Sequence, residues 1–195
     1  MLWSKVVELM ANKQHLTSTG FATILSLYAS INTGVSPKVA AAFPNIVPAN
    51  KVEINLPEKL DPEWVSGFTA GDGGFSIGIR TSGQVYFRFH IAQHSRDKLL
   101  MKMLISFFGC GNVNERQNTQ RCDYYVQSFD KIYNIIIPHF DLYPLLNIKT
   151  LDFASFKEAA ILFKEGGRNN TPKIKQILDS MNYKREFTDN SKQND

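Results

Sequence analysis

The chain has 195 residues, with 22 Lys and Arg against 18 Asp and Glu, a formal net charge of +4, 43% hydrophobic and 21% charged residues. This is the balance of a globular protein with a real core, and no apolar run approaches the ~20 residues needed to cross a bilayer. Glu8, Lys13 and His15 interrupt any signal-peptide pattern, and Cys110 and Cys122 give neither a metal spacing nor a disulfide framework, so both are expected as buried free thiols.

In chain order, Ser4 to Asn12 reads as a helix with Val6, Val7, Leu9 and Met10 on one side. A second helix is expected from Ser18 to Asn32, stopped by Asn32-Thr33-Gly34, and a short one from Ser36 to Phe43. Residues 44–57 hold Pro44, Pro48, Asn45, Asn50 and Asn55 with few periodic apolar residues, and read as an extended connector. Asp61 as N-cap and Pro62 at the first helical position then open a helix through Trp64, Val65, Phe68 and Thr69 that fails at Gly71-Asp72-Gly73.

Two alternating strands follow, Phe75 to Ile79 and Val85 to Ile91, joined by Thr81-Ser82-Gly83. A helix from Ser95 to Phe108 carries Leu99, Leu100, Met103, Leu104 and Phe107 and ends at Gly109. A second strand pair fits Gly111 to Arg116 and Cys122 to Phe129, and helices return at 131–137, 152–164 and 171–182. The polar tail after Phe187 has the composition of a disordered segment. The order is that of an α+β domain, which serves many functions.

The first two helices resemble the last two. Residues 3–10 (WSKVVELM) align with 156–163 (FKEAAILF), and 24–32 (ILSLYASIN) with 174–182 (IKQILDSMN), with a shared ending of Ser, an apolar residue and Asn. Such a repeat makes the chain the tail of one unit, a linker and one complete second unit.

The segment Val65-Ser66-Gly67-Phe68-Thr69-Ala70-Gly71-Asp72-Gly73, followed by Gly74-Phe75, resembles the motif that names the LAGLIDADG homing-endonuclease family. The resemblance extends to His15-Leu16-Thr17, residues 42–46, Gln93 to Lys98 and Phe108 to Gly111, which look like the fungal organellar, single-chain branch with two αββαββα repeats. It implies a four-stranded antiparallel saddle sheet packed on helices. It divides the chain into the helical tail of a preceding repeat (1–34), a linker (35–60), an endonuclease domain (61–185) and a disordered tail (186–195).

Function follows from the same resemblance. Family members cut double-stranded DNA site-specifically with Mg²⁺ held between two motif helices. Ser66, Gly67, Ala70 and Gly71 would form the helix interface, and Asp72 with Gly71 would bind metal. Gln93 matches a polar group near the reacting phosphate, and Lys149 a lysine that organises water or stabilises charge. The sheet would read DNA through Ser76, Gly78, Arg80, Tyr86, Arg88, His90, Asn112, Asn114, Arg116, Asn118, Arg121, Asp123, Tyr125 and Gln127, while Phe75, Ile77, Ile79, Phe87, Phe89 and Ile91 pack on helices.

The chain departs from the family in having one motif, hence one acid. A homodimer, a missing N-terminal repeat, or a role without cleavage are the open alternatives, the last as an intron-RNA splicing cofactor (a maturase) or an inactive DNA-binding fragment. Mitochondrial origin and no membrane association are implied.

Overall fold

A computed structural model describes residues 2–31, 34–50 and 55–185. The segment 186–195, expected to be disordered, lies outside the described residues. The chain divides into two compact units at Leu56/Pro57.

The first unit is helical. Helices α1 (Leu2–Ala11) and α2 (Ser18–Ala29) pack on each other, and α3 (Pro37–Ala42) follows. Thr17 caps α2 by accepting from the Gly20 amide at 3.0 Å, and Gly20 lies so close to the Gln14 carbonyl that a Cβ would overlap it. The connector runs back along α2: Ser26 donates to the Val47 carbonyl at 2.6 Å, and the Ala49 amide donates to Ser26 O at 3.0 Å. These bonds give an extended, proline-interrupted segment partners for its backbone.

The second unit holds helix α4 (Pro62–Asp72), strands β1 (Gly73–Ile79) and β2 (Val85–His94), helix α5 (Lys98–Phe108), strands β3 (Asn112–Glu115) and β4 (Arg121–Val126), and helices α6 (Phe129–Lys131), α7 (Ile137–Leu142), α8 (Lys149–Gly166) and α9 (Thr171–Asp179). The four strands form one antiparallel sheet in the order β1-β2-β4-β3. The period-two alternation decides its two faces. Val85, Phe87, Phe89 and Ile91 are buried, whereas Tyr86 is exposed and Arg88 and His90 are half-buried on the other side. Phe75 stacks on Phe89 and meets Phe140, Phe153 and Phe156, which seats α7 and α8 on the apolar face.

Three differences from the sequence expectation bear on how the domain packs. The buried stripe of α5 is Met101, Leu104 and Phe108, while Leu99 faces outward. The helix read as 131–137 continues through Pro138 to Leu142, because a π-helical turn at Ile132–Ile136 intervenes. There the Ile137 amide bonds to Ile132 O, and Pro138, which has no amide to offer, sits where one fewer donor is tolerated. Strand β1 begins at Gly73 rather than Phe75. Gly74 lies beneath the His90 ring, where a Cβ would come within 2.8 Å of it, so glycine marks close approach and not a break.

Candidate nuclease site and nucleic-acid interface

Helix α4 starts as its sequence dictates. Asp61 Oδ1 accepts from the Trp64 amide at 2.9 Å and Pro62 occupies the first turn. Its far end carries the residues expected to form the site. The last carbonyls of a helix have no partner within it, and here two side chains from the start of α8 supply one. Lys149 Nζ donates to Gly71 O at 2.7 Å and to Thr69 O at 3.4 Å, and Asn147 Nδ2 donates to Ala70 O at 2.8 Å. Asn147 Oδ1 also accepts from the Lys149 amide at 3.1 Å, which fixes the lysine relative to the helix end.

Asp72 ends the helix, exposed, with Oδ2 accepting from Gln93 Nε2 at 2.7 Å. An acid there faces the negative end of the helix dipole, an arrangement that costs about 0.3–1 kcal/mol. The Asp72 carboxylate and the Gly71 carbonyl are hard oxygen donors at a cation-favouring helix end, so they fit a divalent cation. They do not complete a cage, because the described residues contain no group of three or more His, Cys, Asp or Glu that could hold a metal ion. Burial pushes the Lys149 ammonium below its ordinary pKa, while Asp72 and Asp152 pull it back up.

The sequence thus placed Asp72, Gly71, Gln93 and Lys149, and the structure brings all four to one corner. It missed Asn147, whose side chain accepts from the amide two residues on, the Asx-type turn that asparagine favours.

The small-residue face of α4 is split. Gly67 and Gly71 are exposed, with nothing within 4 Å of the point where a Cβ would stand, and Ala70 lies beside them. Ser66 lines the same groove as Gly67 and Ala70 but is turned inward. It is buried, and its hydroxyl donates to Tyr143 O at 2.7 Å with His139 Nε2 at 3.4 Å. Gly67 and Ala70 border a groove of about 380 Å³ with Leu142, Tyr143, Pro144 and Leu146, of which Leu142 and Leu146 are strongly exposed.

His139 is ringed by Phe107, Phe108, Phe140 and Tyr143, and burial lowers its pKa from 6.5 to about 4. The folded state therefore holds it neutral while the unfolded chain takes up a proton below pH 6.5. Stability is expected to fall as pH drops from about 6.5 toward about 4. His139→Gln should flatten that slope in denaturant midpoints recorded across the window; an unchanged slope would assign it to other groups.

The open face of the sheet gathers the expected polar residues. Register puts Ser76 beside Arg88, Gly78 beside Tyr86, Tyr125 beside both His90 and Asn112, and Asp123 beside Ala92 and Asn114. Arg80, Arg116, Asn118, Arg121 and Gln127 are exposed at its margins, with Asn118 in left-handed backbone at φ 59° in the β3–β4 turn. Two expected contacts are corrected by the geometry. Gly78 is buried under the Tyr86 ring, where a Cβ would overlap the ring, so it has no free surface of its own. Asp123 is buried and its Oδ2 accepts from Arg116 Nε, so it acts on the arginine beside it. Arg88 Nε, His90 Nδ1 and Asp123 Oδ1 are buried with no hydrogen-bond partner, a cost that native structures rarely leave standing without a ligand or water. Burial and the Arg88 charge both lower the His90 pKa, with Asp123 opposing. No helix among the described residues is long and apolar enough to cross a membrane.

Comparison with known proteins gives this arrangement a family. The LAGLIDADG endonuclease family model matches residues 65–160. A probable intron-encoded endonuclease 2 of Neurospora crassa is 36% identical over 194 residues, covering 91% of this chain and 43% of that protein. Among solved structures, the I-SmaMI LAGLIDADG homing endonuclease bound to cleaved DNA superposes with a TM-score of 0.90 at 36% identity, covering 95% of this chain and 65% of that one. The I-GzeII homing endonuclease in complex with its DNA target gives 0.90 at 30% identity, covering 95% and 67%. I-SmaMI has also been seen on an uncleaved DNA target in the presence of calcium ions. The chain spans less than half the length of the Neurospora protein and about two thirds of the two solved endonucleases. On sequence, fold and site architecture together, the chain belongs to the LAGLIDADG endonuclease family.

Proposed function

We propose that this chain supplies half of a site-specific, Mg²⁺-dependent endonuclease for double-stranded DNA, of the intron-homing kind. The observation that carries the reading is Asp72, an exposed acid at the negative end of α4, held by Gln93 and flanked by Lys149. Asp72 and the Gly71 carbonyl would hold the ion, which supplies Lewis acidity and lowers the pKa of bound water. Gln93 fixes the rotamer of the Asp72 carboxylate and leaves Oδ1 to face outward bonding. Lys149 brings a positive charge beside the acid and offsets the helix-end dipole. The open sheet face binds the duplex, with Ser76, Arg80, Tyr86, Arg88, His90, Asn112, Asn114, Arg116, Asn118, Arg121, Tyr125 and Gln127 as the contact set.

One acid serves one strand, so a second motif helix must come from a preceding repeat or a second copy. The open Gly67 and Gly71 surface is where it would pack. A preceding repeat is favoured, because α1 and α2 carry the same sequence pattern as α8 and α9. Residues 1–34 are then the tail of that repeat, 35–60 the linker and 61–185 the second repeat. Kinship with fungal intron-encoded proteins supports a mitochondrial origin.

The test is cleavage of a randomised duplex library with Mg²⁺, by the chain alone and joined to an N-terminal LAGLIDADG repeat. Recurrent double-strand ends at one sequence, seen in at least one of the two forms, are the expected result. Failure of both forms to cut, with tight binding to folded intron RNA instead, would replace this reading with a maturase role.

A further inference from the structure

Two arginines on the open sheet face are held in different ways. Arg116 donates through Nε to Asp123, so its charge is partnered and its side chain is tied to β4. No carboxylate pairs with Arg88 among the described residues. Its guanidinium carbon instead stands 5.2 Å from the centroid of the Tyr125 ring. The ring is itself pinned, because its hydroxyl accepts from Asn114 Nδ2 at 2.9 Å. On the other flank the register neighbour is Ser76, whose short side chain leaves the guanidinium room. Arg88 Nε is buried and unpartnered. Arg88, Asn114, Arg116, Asp123, Tyr125 and Gln127 line a concavity of about 350 Å³ that opens on the sheet face.

We propose that Arg88 is a specificity-determining residue that reads one guanine in the major groove, and that Tyr125 is the positioning residue that presents it. The proposal rests on the nucleic-acid reading of the sheet given above, and narrows it to one contact. A guanidinium fork matches guanine O6 and N7 with two parallel hydrogen bonds, a match no other base offers. Phosphate contact needs only charge and reach, which a mobile side chain provides. A planar fork laid on a pinned aromatic ring has surrendered rotamer freedom before the ligand arrives, which favours a contact demanding fixed geometry. Asp123 neutralises Arg116, so the two arginines do not compete for one role: Arg116 braces the pocket wall and Arg88 does the reading.

The test separates a base contact from a phosphate contact. Wild type, Arg88→Lys, Arg88→Ala and Tyr125→Leu are each equilibrated with a randomised duplex pool, and the bound sequences are read out together with affinity at several salt concentrations. The wild type is expected to show a guanine preference at one position. Arg88→Lys keeps the charge but loses the fork. It should lower that preference by about tenfold or more while leaving the other positions and the salt slope unchanged. Tyr125→Leu should weaken the same position and no other. If Arg88→Lys preserves every preference while Arg88→Ala weakens binding uniformly and flattens the salt slope, Arg88 contacts phosphate and the proposal is overturned. Duplex binding with unaltered preferences in all three variants overturns it too, and leaves the sheet reading standing. Absence of duplex binding by the wild type removes the sheet reading itself, and this proposal with it.

Discussion

Asp72→Asn is expected to lower DNA cleavage by a factor on the order of a thousand or more, in whichever form of the protein cuts, with duplex affinity retained or slightly raised. The substitution keeps the shape of the side chain and its bond from Gln93. It removes the negative charge, which is what a divalent cation at this corner requires. The same change should leave the fold near wild-type stability, since relief of an acid facing the negative end of α4 is set against loss of its attraction to Lys149. A loss of activity at an unchanged melting temperature is hard to produce by damage to the fold. Cleavage that persists at wild-type rate in Asp72→Asn would end the metal role for this residue.

The largest effect on stability is expected at Phe75. Its ring is 2% exposed and stands between 5.3 and 5.4 Å from the rings of Phe89, Phe140, Phe153 and Phe156. Phe75→Ala removes the side chain around which the sheet, α7 and α8 meet, and close packing leaves little to refill the space. A cost of roughly 3–5 kcal/mol is expected, out of a total of about 5–15 kcal/mol for a domain. The check is a denaturant titration, in which the midpoint should move while the slope stays constant. Tyr86→Ala, on the open face of the neighbouring strand, should move it far less. Comparable losses at both positions would contradict the assignment of the two faces.

The features readable in the sequence are those set by neighbours along the chain. Strand β2 alternates because a half-buried strand must, and the alternation named Phe87, Phe89 and Ile91 as core before any partner strand was known. Asp61-Pro62 announced the start of α4 because its cap lies three residues away. What local pattern could not show were contacts made across the fold. Asn147 reaches Ala70 O over 77 positions, and the sequence gives no measure of that distance. Ser66 looked like one more small residue on the motif helix until α7 placed the Tyr143 carbonyl against it. Gly78 and Asp123 were misjudged for the same reason: each lies on the expected face, but a neighbouring strand lays Tyr86 over one and Arg116 against the other. Asp72, Gln93 and Lys149 were expected through family resemblance, since spacing alone does not single them out, and the structure sets them side by side.

The two-faced construction of β2 has a consequence for how such a protein changes over generations. Residues proposed to meet DNA and residues that hold the fold alternate along one strand and point to opposite sides. A point substitution at Tyr86, Arg88 or His90 therefore alters the outward surface without entering the aromatic core. An inserted or deleted residue in the same strand exchanges the two sides and loses both at once. Such a lineage can drift to new targets by single replacements while its strand lengths stay frozen.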